Sequence, residues 1–190
     1  MKSCKYLVEC AQYALANKFG YWYGTFGQVA NAALLKEKKS QYPNYYDQSK
    51  YQVKFTDQFG LRVVDCSGLL KYALWTNTPS EQAKYNATQD LSANGMINAC
   101  TQKGDISSIP EQGGIIVWKD NHVGIYVGNG YVIEARGHDY GVVKTKLYER
   151  GWKKWGRLPW VDYTQDSSKF TAEEAMAQIK KVVDAYYANK

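Results

Sequence analysis

Cys66 stands in the stretch VVDCSGLLKYALW, between an aspartate and a serine-glycine pair. The apolar residues after it recur at helical spacing, so the sequence predicts a helix that begins beside Cys66 and is capped by Asp65. A thiol attacks only as its thiolate, and the positive end of a helix lowers the pKa of a thiol placed there. This position favours a nucleophile over a small core thiol.

A nucleophilic thiol needs a neighbouring base, and the chain has two histidines, His122 and His138. His122 opens the predicted strand HVGIYVG, whereas His138 lies in the loop-like stretch RGHDYG. Because a strand holds a side chain more rigidly than a loop, we expect His122 to be the base. A purely structural histidine is the alternative at this position.

A histidine base also needs a third group that fixes its tautomer, and Glu134 follows His122 across the turn GNG. A loop of three residues ending at Gly130 pairs Glu134 with Gly124, on the same sheet face as His122. A loop of two residues pairs Glu134 with Ile125 instead, on the opposite face. The hypothesis of a Cys66, His122 and Glu134 triad therefore depends on the hairpin register, and a solvent-facing glutamate is the alternative.

The elements that must hold these residues change in character along the chain. Helical spacing comes first and short β-branched or aromatic runs separated by glycines come from Gly113 onward, which predicts an α+β fold with N-terminal helices packed on a central antiparallel sheet. The predicted helices are Cys4–Lys18, Val29–Lys38, the stretch after Cys66, and either Glu81–Lys84 or Asp90–Cys100. The predicted strands lie in GGIIVW, HVGIYVG, GYVIEA and GVVKTKL.

A length of 190 residues predicts one core rather than two. We expect residues 1–163 to form the catalytic domain, with residues 28–60 as an insertion that shapes a cleft. Residues 164–190 read as a polar linker and an amphipathic C-terminal helix, whose start carries a capping box at Thr171 and Glu174. That helix docks on the core or leads to a further domain, and docking is the prediction.

The aromatic content and the net charge of the chain indicate which kinds of binding partner to expect. The 17 tyrosines and 6 tryptophans suit a wet binding surface for sugars, peptides or nucleic acid. A net charge of +6 favours polyanions such as an anionic cell wall, or serves solubility alone. The chain has no block of five like charges and no apolar stretch of membrane-spanning length, so neither a nucleic-acid arm nor membrane insertion is expected.

The remaining cysteines and the N-terminus add little chemistry. Cys4, Cys10 and Cys100 form no C-x-x-C and have no histidine at metal-ligand spacing, so no metal site is expected, while a disulfide stays open. Cys4 and Cys10 fit the core face of the first helix. No apolar run of signal-peptide length is present, which leaves phage-type release through a membrane pore or a fragment of a secreted hydrolase.

Three motifs, GYWYG at Gly20–Gly24, DCSGL at Asp65–Leu69 and HVGIYVGNGYVIEA at His122–Ala135, follow one another along the chain. Together they resemble the NlpC family of papain-like cysteine endopeptidases, which cut bacterial peptidoglycan, over about residues 5–163. The resemblance implies a papain-like NlpC-type fold with Cys66 as nucleophile and His122 as base. Glu134 stands where the family often has a second histidine, a departure that still allows an orienting role.

The resemblance also implies roles for residues around the nucleophile. Tyr21 matches a tyrosine that supports the oxyanion, and Asp65 and Ser67 match residues that hold a free peptide amine in some members. Those members add a tyrosine from an accessory SH3-like domain, and such a domain is absent from this sequence. Plain core packing for Tyr21 and plain helix capping for Asp65 are the alternatives.

The implied activity is an endopeptidase that needs no cofactor, acts at the bacterial cell wall as a monomer, and cleaves a stem peptide between D-γ-glutamate and the diamino acid. A related amidase of CHAP type, which cuts N-acetylmuramoyl-L-alanine, is an alternative within the same chemistry. A wall-binding module with a decayed site is the alternative from another class.

Overall fold

The computed structural model describes residues 1–46, 55–164 and 176. The helices whose full bounds lie within these ranges precede the large sheet: α1 (Cys4–Ala16), α2 (Ala32–Gln41), α3 (Pro43–Tyr46), α4 (Cys66–Trp75) and α5 (Ala93–Ala99). α1 begins at the predicted residue because the Ser3 side chain accepts a hydrogen bond from the Tyr6 N–H. The predicted helix beside Cys66 is likewise present as α4.

Two helix predictions need correction, and capping residues explain both. α2 starts at Ala32 rather than Val29, because Val29 ends a strand and Asn31 caps the helix. Residues 81–84 are not helical, so that alternative was wrong. In the stretch Asp90–Cys100 the helix α5 begins only after Ser92, whose hydroxyl accepts the Gly95 N–H at 3.1 Å.

The second half of the chain forms a six-stranded sheet in which every recorded pairing is antiparallel, with strand order β4-β9-β5-β6-β7-β8. Helices followed by an antiparallel sheet confirm the predicted α+β class. The strands are β1 (Lys2–Ser3), β2 (Phe26–Val29), β3 (Arg62–Val64), β4 (Gln102–Asp105), β5 (Ile116–Lys119), β6 (His122–Gly128), β7 (Tyr131–Ala135), β8 (Val142–Lys146), β9 (Lys154–Arg157) and β10 (Val161–Asp162).

Both faces of this sheet are covered. One face packs on α1 and α4 through residues such as Leu7, Leu70 and Ile125. The other carries a second cluster that includes Val132 and Trp152. Because apolar side chains bury both faces, β6 and β7 alternate between two hydrophobic environments rather than between core and water. Polar groups that must meet substrate are therefore confined to the ends of strands.

A small sheet brings the GYWYG loop to the start of α4. β2 pairs antiparallel with β3, and Gly20 bridges to Val63 at the entrance of the loop. The Asp65 N–H then donates to the Thr25 carbonyl at 3.0 Å. These bonds tie the loop that contains Tyr21 to Asp65, the residue before Cys66.

Gly68 in the DCSG motif allows a close approach between α4 and this loop. A β-carbon at Gly68 would lie 1.8 Å from the Thr25 carbonyl oxygen, which belongs to backbone and is itself bonded to the Asp65 N–H. No side chain fits that gap. The glycine therefore sets the distance between the helix and the loop beside Cys66.

Within the described ranges, no helix has both the length and the apolar character needed to cross a membrane. The predicted capping box at Thr171 and Glu174, and the C-terminal helix that it would start, lie outside the described residues.

We expect Gly68→Ala to lower the free energy of unfolding by about 3 kcal/mol, because the new methyl group must push the Thr25 carbonyl away from Asp65. Urea unfolding followed by circular dichroism measures this. Gly95→Ala is the matched control inside α5, where the new methyl group meets its nearest atom at 3.2 Å and should change stability by less than about 1 kcal/mol. Equal effects of the two variants would contradict the close-approach explanation.

Candidate active site

Cys66 is the first residue of α4, and Asp65 caps the helix in front of it. One carboxylate oxygen of Asp65 accepts the Gly68 N–H at 2.6 Å and the Ser67 hydroxyl at 3.0 Å. The other oxygen accepts the Gly24 N–H at 2.8 Å. The cap therefore fixes Cys66, the helix and the GYWYG loop as one unit.

Burial raises the pKa of the Cys66 thiol to about 12, and the charge of Asp65 adds to the rise. The backbone N–H groups of Ser67, Val123 and Cys66 act in the opposite direction without offsetting it. The expected lowering by N–H groups at the helix start is therefore present, but it is smaller than the rise caused by loss of water and by the carboxylate cap. The resting thiol is neutral, and it needs a base to react.

The hairpin that carries His122 and Glu134 has the predicted register but not the predicted loop. Ile125 lies opposite Ile133, which is the register that pairs Glu134 with Gly124. The loop itself has two residues, Asn129 and Gly130, because Gly128 pairs with Tyr131. Both loop residues have positive φ, at 54° and 75°, as a type I′ turn requires.

A β-bulge at Val127 reconciles the short loop with the register. One extra residue on β6 between the Tyr126 and Gly128 pairs shifts the strand by one position. The Glu111 carboxylate supports this corner, accepting the Tyr126 hydroxyl at 2.6 Å and the Asn129 N–H at 2.6 Å. The idea that a two-residue loop removes Glu134 from the site was wrong, because the bulge restores the face on which it lies.

Glu134 and His122 form a short hydrogen bond across the hairpin. His122 Nε2 lies 2.6 Å from Glu134 Oε2. Gly124 leaves room for this bond, because a β-carbon there would come within 2.7 Å of the Val132 side chain and 3.3 Å of the Glu134 β-carbon. Since Glu134 occupies Nε2, the other ring nitrogen, Nδ1, is the one left for the thiol.

The Glu134 carboxylate is completely buried and has three further donors. Thr145 donates to Oε1 at 2.8 Å, and Arg150 donates to Oε1 at 2.7 Å and to Oε2 at 3.1 Å. Burial alone would raise the pKa of Glu134, but the bonds from His122, Arg150 and Thr145 hold it at about 2. The carboxylate is therefore ionised at neutral pH.

Two side chains brace the histidine ring and its strand. The Trp152 ring stacks on His122 with centroids 5.4 Å apart and planes 10° from parallel. On the other side, Asn94 in α5 accepts the Asn121 N–H at 3.0 Å and donates to the Asn121 side chain at 2.8 Å. These contacts fix the residue before His122, which has a positive φ of 59°.

Cys66 lies beside this strand. The Cys66 thiol donates to the Asn121 carbonyl at 3.9 Å, and the Val123 N–H also faces the sulfur. His122 stands between these two residues in the chain, yet among the described residues no hydrogen bond joins its ring to the thiol. Such bonds often form only when substrate binds, so this resting geometry is compatible with proton transfer.

A cleft of about 760 Å³ opens at Cys66. Its lining is mostly polar and mixes both signs of charge: Glu37, Asp65 and Asp90 are acidic, and Lys38 and Lys71 are basic. Five lining residues come from the segment that was expected to be an insertion: Gln28, Glu37, Lys38, Gln41 and Tyr42. A long polar cleft of this kind suits an extended peptide with charged groups.

The other sequence-predicted residues lie close to Cys66. Asp65 and Ser67 line the cleft, although each already makes a hydrogen bond within the cap. Tyr21 is largely buried, and burial followed by the charges of Cys66 and Asp65 raises the pKa of its hydroxyl, so the group remains a proton donor. His138 belongs to a different region, where its ring meets Phe55 edge-on at 4.7 Å.

Sequence reasoning missed Arg150, Thr145, Trp152 and Asn94. Thr145 had a detectable signal, since β8 pairs with β7 and Thr145 lies on the Glu134 face, two residues from its partner Val143. Arg150 and Trp152 follow a short 3₁₀ turn, Leu147–Glu149, and no periodic pattern places residues beyond such a turn.

Comparison with protein families gives a match to the NlpC/P60 family over residues 50–160, more than half of the chain. The chain belongs to the NlpC/P60 family. The matched stretch includes the DCSG motif, the hairpin of His122 and Glu134, and Arg150. A comparison with curated protein sequences found no match.

Several solved structures are similar to this NlpC/P60 chain at low identity. NlpC1 from Trichomonas vaginalis is 18% identical with a TM-score of 0.48, and the match covers 82% of this chain and 43% of that one. The P60 domain of an antigen from Mycobacterium avium subspecies paratuberculosis is 17% identical with a TM-score of 0.48, covering 82% and 93%. The peptidoglycan hydrolase RipB from Mycobacterium tuberculosis is 17% identical with a TM-score of 0.48, covering 82% and 64%.

The low pKa of Glu134 predicts a specific dependence of stability on pH. Because folding lowers this pKa from 4.5 to about 2, the charged carboxylate stabilises the fold above pH 4.5, and this contribution is lost as the pH falls toward 2. The difference between the two values corresponds to roughly 3 kcal/mol. Glu134→Gln should therefore be less stable than the wild type by about that amount at pH 7, and the gap should close between pH 4.5 and 2.

Urea unfolding of both proteins at pH 7, 5, 4 and 3 tests this expectation. Glu149→Gln is the control, since Glu149 is exposed and pairs only with Lys146 among the described residues. Its effect should stay small at every pH. A stability gap for Glu134→Gln that stays constant down to pH 3 would show that the carboxylate is not held as described.

Proposed function

We propose that this NlpC/P60 protein is a cell-wall hydrolase, a cysteine endopeptidase that cleaves an amide bond in peptidoglycan stem peptides. The observation that carries the proposal is the 2.6 Å bond between Glu134 and His122 Nε2, on a strand whose neighbouring backbone groups touch the Cys66 thiol. A cysteine at a helix start, an oriented imidazole and an open polar cleft together form the apparatus of thiol-dependent acyl transfer.

In the proposed reaction, His122 takes the proton of the Cys66 thiol through Nδ1 as the sulfur attacks the amide carbonyl. A base is required because the thiol is neutral at rest, with its pKa raised to about 12. The developing imidazolium is stabilised by Glu134, which stays ionised throughout. The oxyanion faces the first N–H groups of α4 and the Tyr21 hydroxyl, both of which are donors.

The second half of the reaction returns the protein to its starting state. The imidazolium gives its proton to the departing amine, which leaves an acyl group on the Cys66 sulfur. Water, deprotonated by His122, then attacks this thioester and releases the carboxylic acid and the thiol. Bonds to sulfur are made and broken once each, and neither step needs a cofactor.

The family resemblance favours the bond between D-γ-glutamate and the diamino acid of the stem. Asp65 and Ser67 line the cleft beside Cys66, where a peptide amine or another donor from the stem would bind. The related amidase activity would instead cut between N-acetylmuramic acid and L-alanine. Mass spectrometry of the fragments released from purified peptidoglycan separates the two, because each leaves a different new terminus.

We expect the wild-type protein to release soluble stem-peptide fragments and Cys66→Ala to lose at least about 10³-fold of that activity, since the nucleophile is removed. Glu134→Ala should lower turnover more than it lowers binding to the wall, because the carboxylate acts on the base rather than on the substrate. Fragment release followed by mass spectrometry and a sedimentation binding assay measure these effects.

Cys100→Ala is the control for loss of a thiol, since Cys100 is buried and donates to the Met96 carbonyl at 3.2 Å. It should keep the activity at temperatures at which it is folded. Retained lysis in Cys66→Ala would remove Cys66 as nucleophile. Wall binding without any lysis by the wild type would favour the inactive wall-binding module instead.

A further inference from the structure

Arg150 makes a two-point contact with the buried carboxylate of the site. Its Nε lies 2.7 Å from Glu134 Oε1 and its Nη2 lies 3.1 Å from Oε2, so the guanidinium and the carboxylate meet side by side. The Arg150 side chain is 21% exposed, while that of Glu134 is fully buried. A paired geometry of this kind fixes the plane of a carboxylate as well as its charge.

Each oxygen of Glu134 is therefore shared between Arg150 and one other donor. Oε1 also accepts the Thr145 hydroxyl, and Oε2 also meets His122 Nε2. Rotation of the carboxylate would break bonds on both oxygens at once. The direction of the bond to His122 is thus determined by Arg150 and Thr145, and not by the glutamate alone.

We propose that Arg150 is a positioning residue for the hydrolysis: its guanidinium fixes the plane of Glu134 and keeps it charged, so that the carboxylate holds His122 by Nε2 and leaves Nδ1 for Cys66. The proposal rests on the proposed function for its kinetic consequences. Its structural content, the coupling of Arg150 to the Glu134 and His122 pair, can be tested without any catalysis.

Lys119 holds the backbone around Arg150 in place. Lys119 donates to the Arg150 carbonyl at 2.9 Å, and its ammonium group lies 5.3 Å from the centre of the Trp152 ring, which stacks on His122. One short segment thus contacts Glu134 through Arg150 and the histidine ring through Trp152. A movement of that segment would disturb both members of the pair.

The positive charge of Arg150 also affects the pH at which the Glu134 and His122 pair takes up a proton. A positive group beside Glu134 opposes uptake of a proton by the pair, whichever member receives it. Among the described residues, Lys119 also interacts with the charge of Glu134 and acts in the same direction, and the charge of Arg136 reaches Lys119 in turn. The nearby Cys66 thiol is neutral at rest. Loss of Arg150 should therefore allow the pair to bind its proton at higher pH.

A lysine could supply the charge but not the geometry. An ammonium group is a point charge on a flexible stem and cannot present two parallel N–H donors to one carboxylate. Arg150→Lys therefore separates the two parts of the proposal, whereas Arg150→Met removes both. A salt bridge that served folding alone would lower stability in both variants without moving the pH dependence of turnover.

We expect Arg150→Met to lower kcat about tenfold or more while KM changes less than about twofold, because Arg150 is not among the residues that line the cleft. The acid limb of its kcat/KM profile should move up by roughly one pH unit. Arg150→Lys should keep the acid limb near that of the wild type and have an intermediate kcat. Lys146→Met is the matched control, since Lys146 lies beside Thr145 with a 63% exposed side chain and should leave both quantities unchanged.

A measurement on the inactive Cys66→Ala protein tests the coupling independently of activity. The chain has two histidines, so the ring signals in an NMR titration can be assigned with one further variant, His122→Gln. Adding Arg150→Met to Cys66→Ala should raise the pH midpoint at which the His122 signals change, again by roughly one pH unit. Adding Lys146→Met should not.

The outcomes separate the two proposals. If the wild type cleaves no stem peptide but the midpoint moves as expected, the proposed function fails and the coupling of Arg150 stands. If the wild type is active and a folded Arg150→Met keeps both its kcat and its acid limb, the positioning role is overturned. Should Arg150→Met fail to fold, Arg150→Gln and Arg150→Lys carry the same comparison, and an unchanged pH limb in Arg150→Gln would overturn the role equally.

Discussion

A fully buried carboxylate is the constraint on which the catalytic half of this NlpC/P60 fold depends. Taking a carboxylate out of water costs several kcal/mol unless charged or polar donors surround it. Glu134 receives its donors from β6, from β8 and from the segment after β8, through His122, Thr145 and Arg150. Three neighbouring parts of the chain must therefore keep their relative positions for this one charge to be tolerated.

The bulge in the hairpin follows from the same requirement. A two-residue turn at Asn129 and Gly130 suits the right-handed twist of the strands, but by itself it would direct Glu134 to the opposite face of the sheet. The extra residue at Val127 corrects the face, and the Glu111 carboxylate holds the corner by bonds to Tyr126 and Asn129. The bulge thus allows both the two-residue turn and the position of Glu134, and it leaves Val127 without a partner in the strand pairing.

Features that depend on residues close together in the sequence could be predicted, and features that depend on distant residues could not. Periodicity and capping residues act within a few positions, so α4, the strands and the sequence neighbours of Cys66 could be predicted. The pairing of His122 with Glu134 needed only the register of one hairpin, and the correct register was reached with a wrong loop. Arg150, Trp152 and Asn94 reach the site from turns or from another helix, and no local pattern in the sequence records those approaches.

The pKa of the thiol shows a second limit of local reasoning. A helix start is positive, and it does lower the pKa of Cys66 through nearby N–H groups, but the same position requires a cap, and here the cap is the carboxylate of Asp65. Burial and this charge together exceed the helix effect. The motif therefore supplies a well-placed but neutral thiol, which makes the base, and whatever orients the base, indispensable.

The third residue of the proposed triad, Glu134, is acidic, and its charge has a structural requirement of its own. A neutral orienting group, such as the histidine common in this family, can be buried beside the base without a counter-charge. Glu134 cannot, because until His122 takes a proton its charge would be unpaired in an apolar environment. Arg150 supplies the counter-charge permanently, so the carboxylate is stable before the reaction and still available to the imidazolium during it. The substitution of a carboxylate for a neutral group in this position is thus coupled, through one buried charge, to a guanidinium sixteen residues farther along the chain.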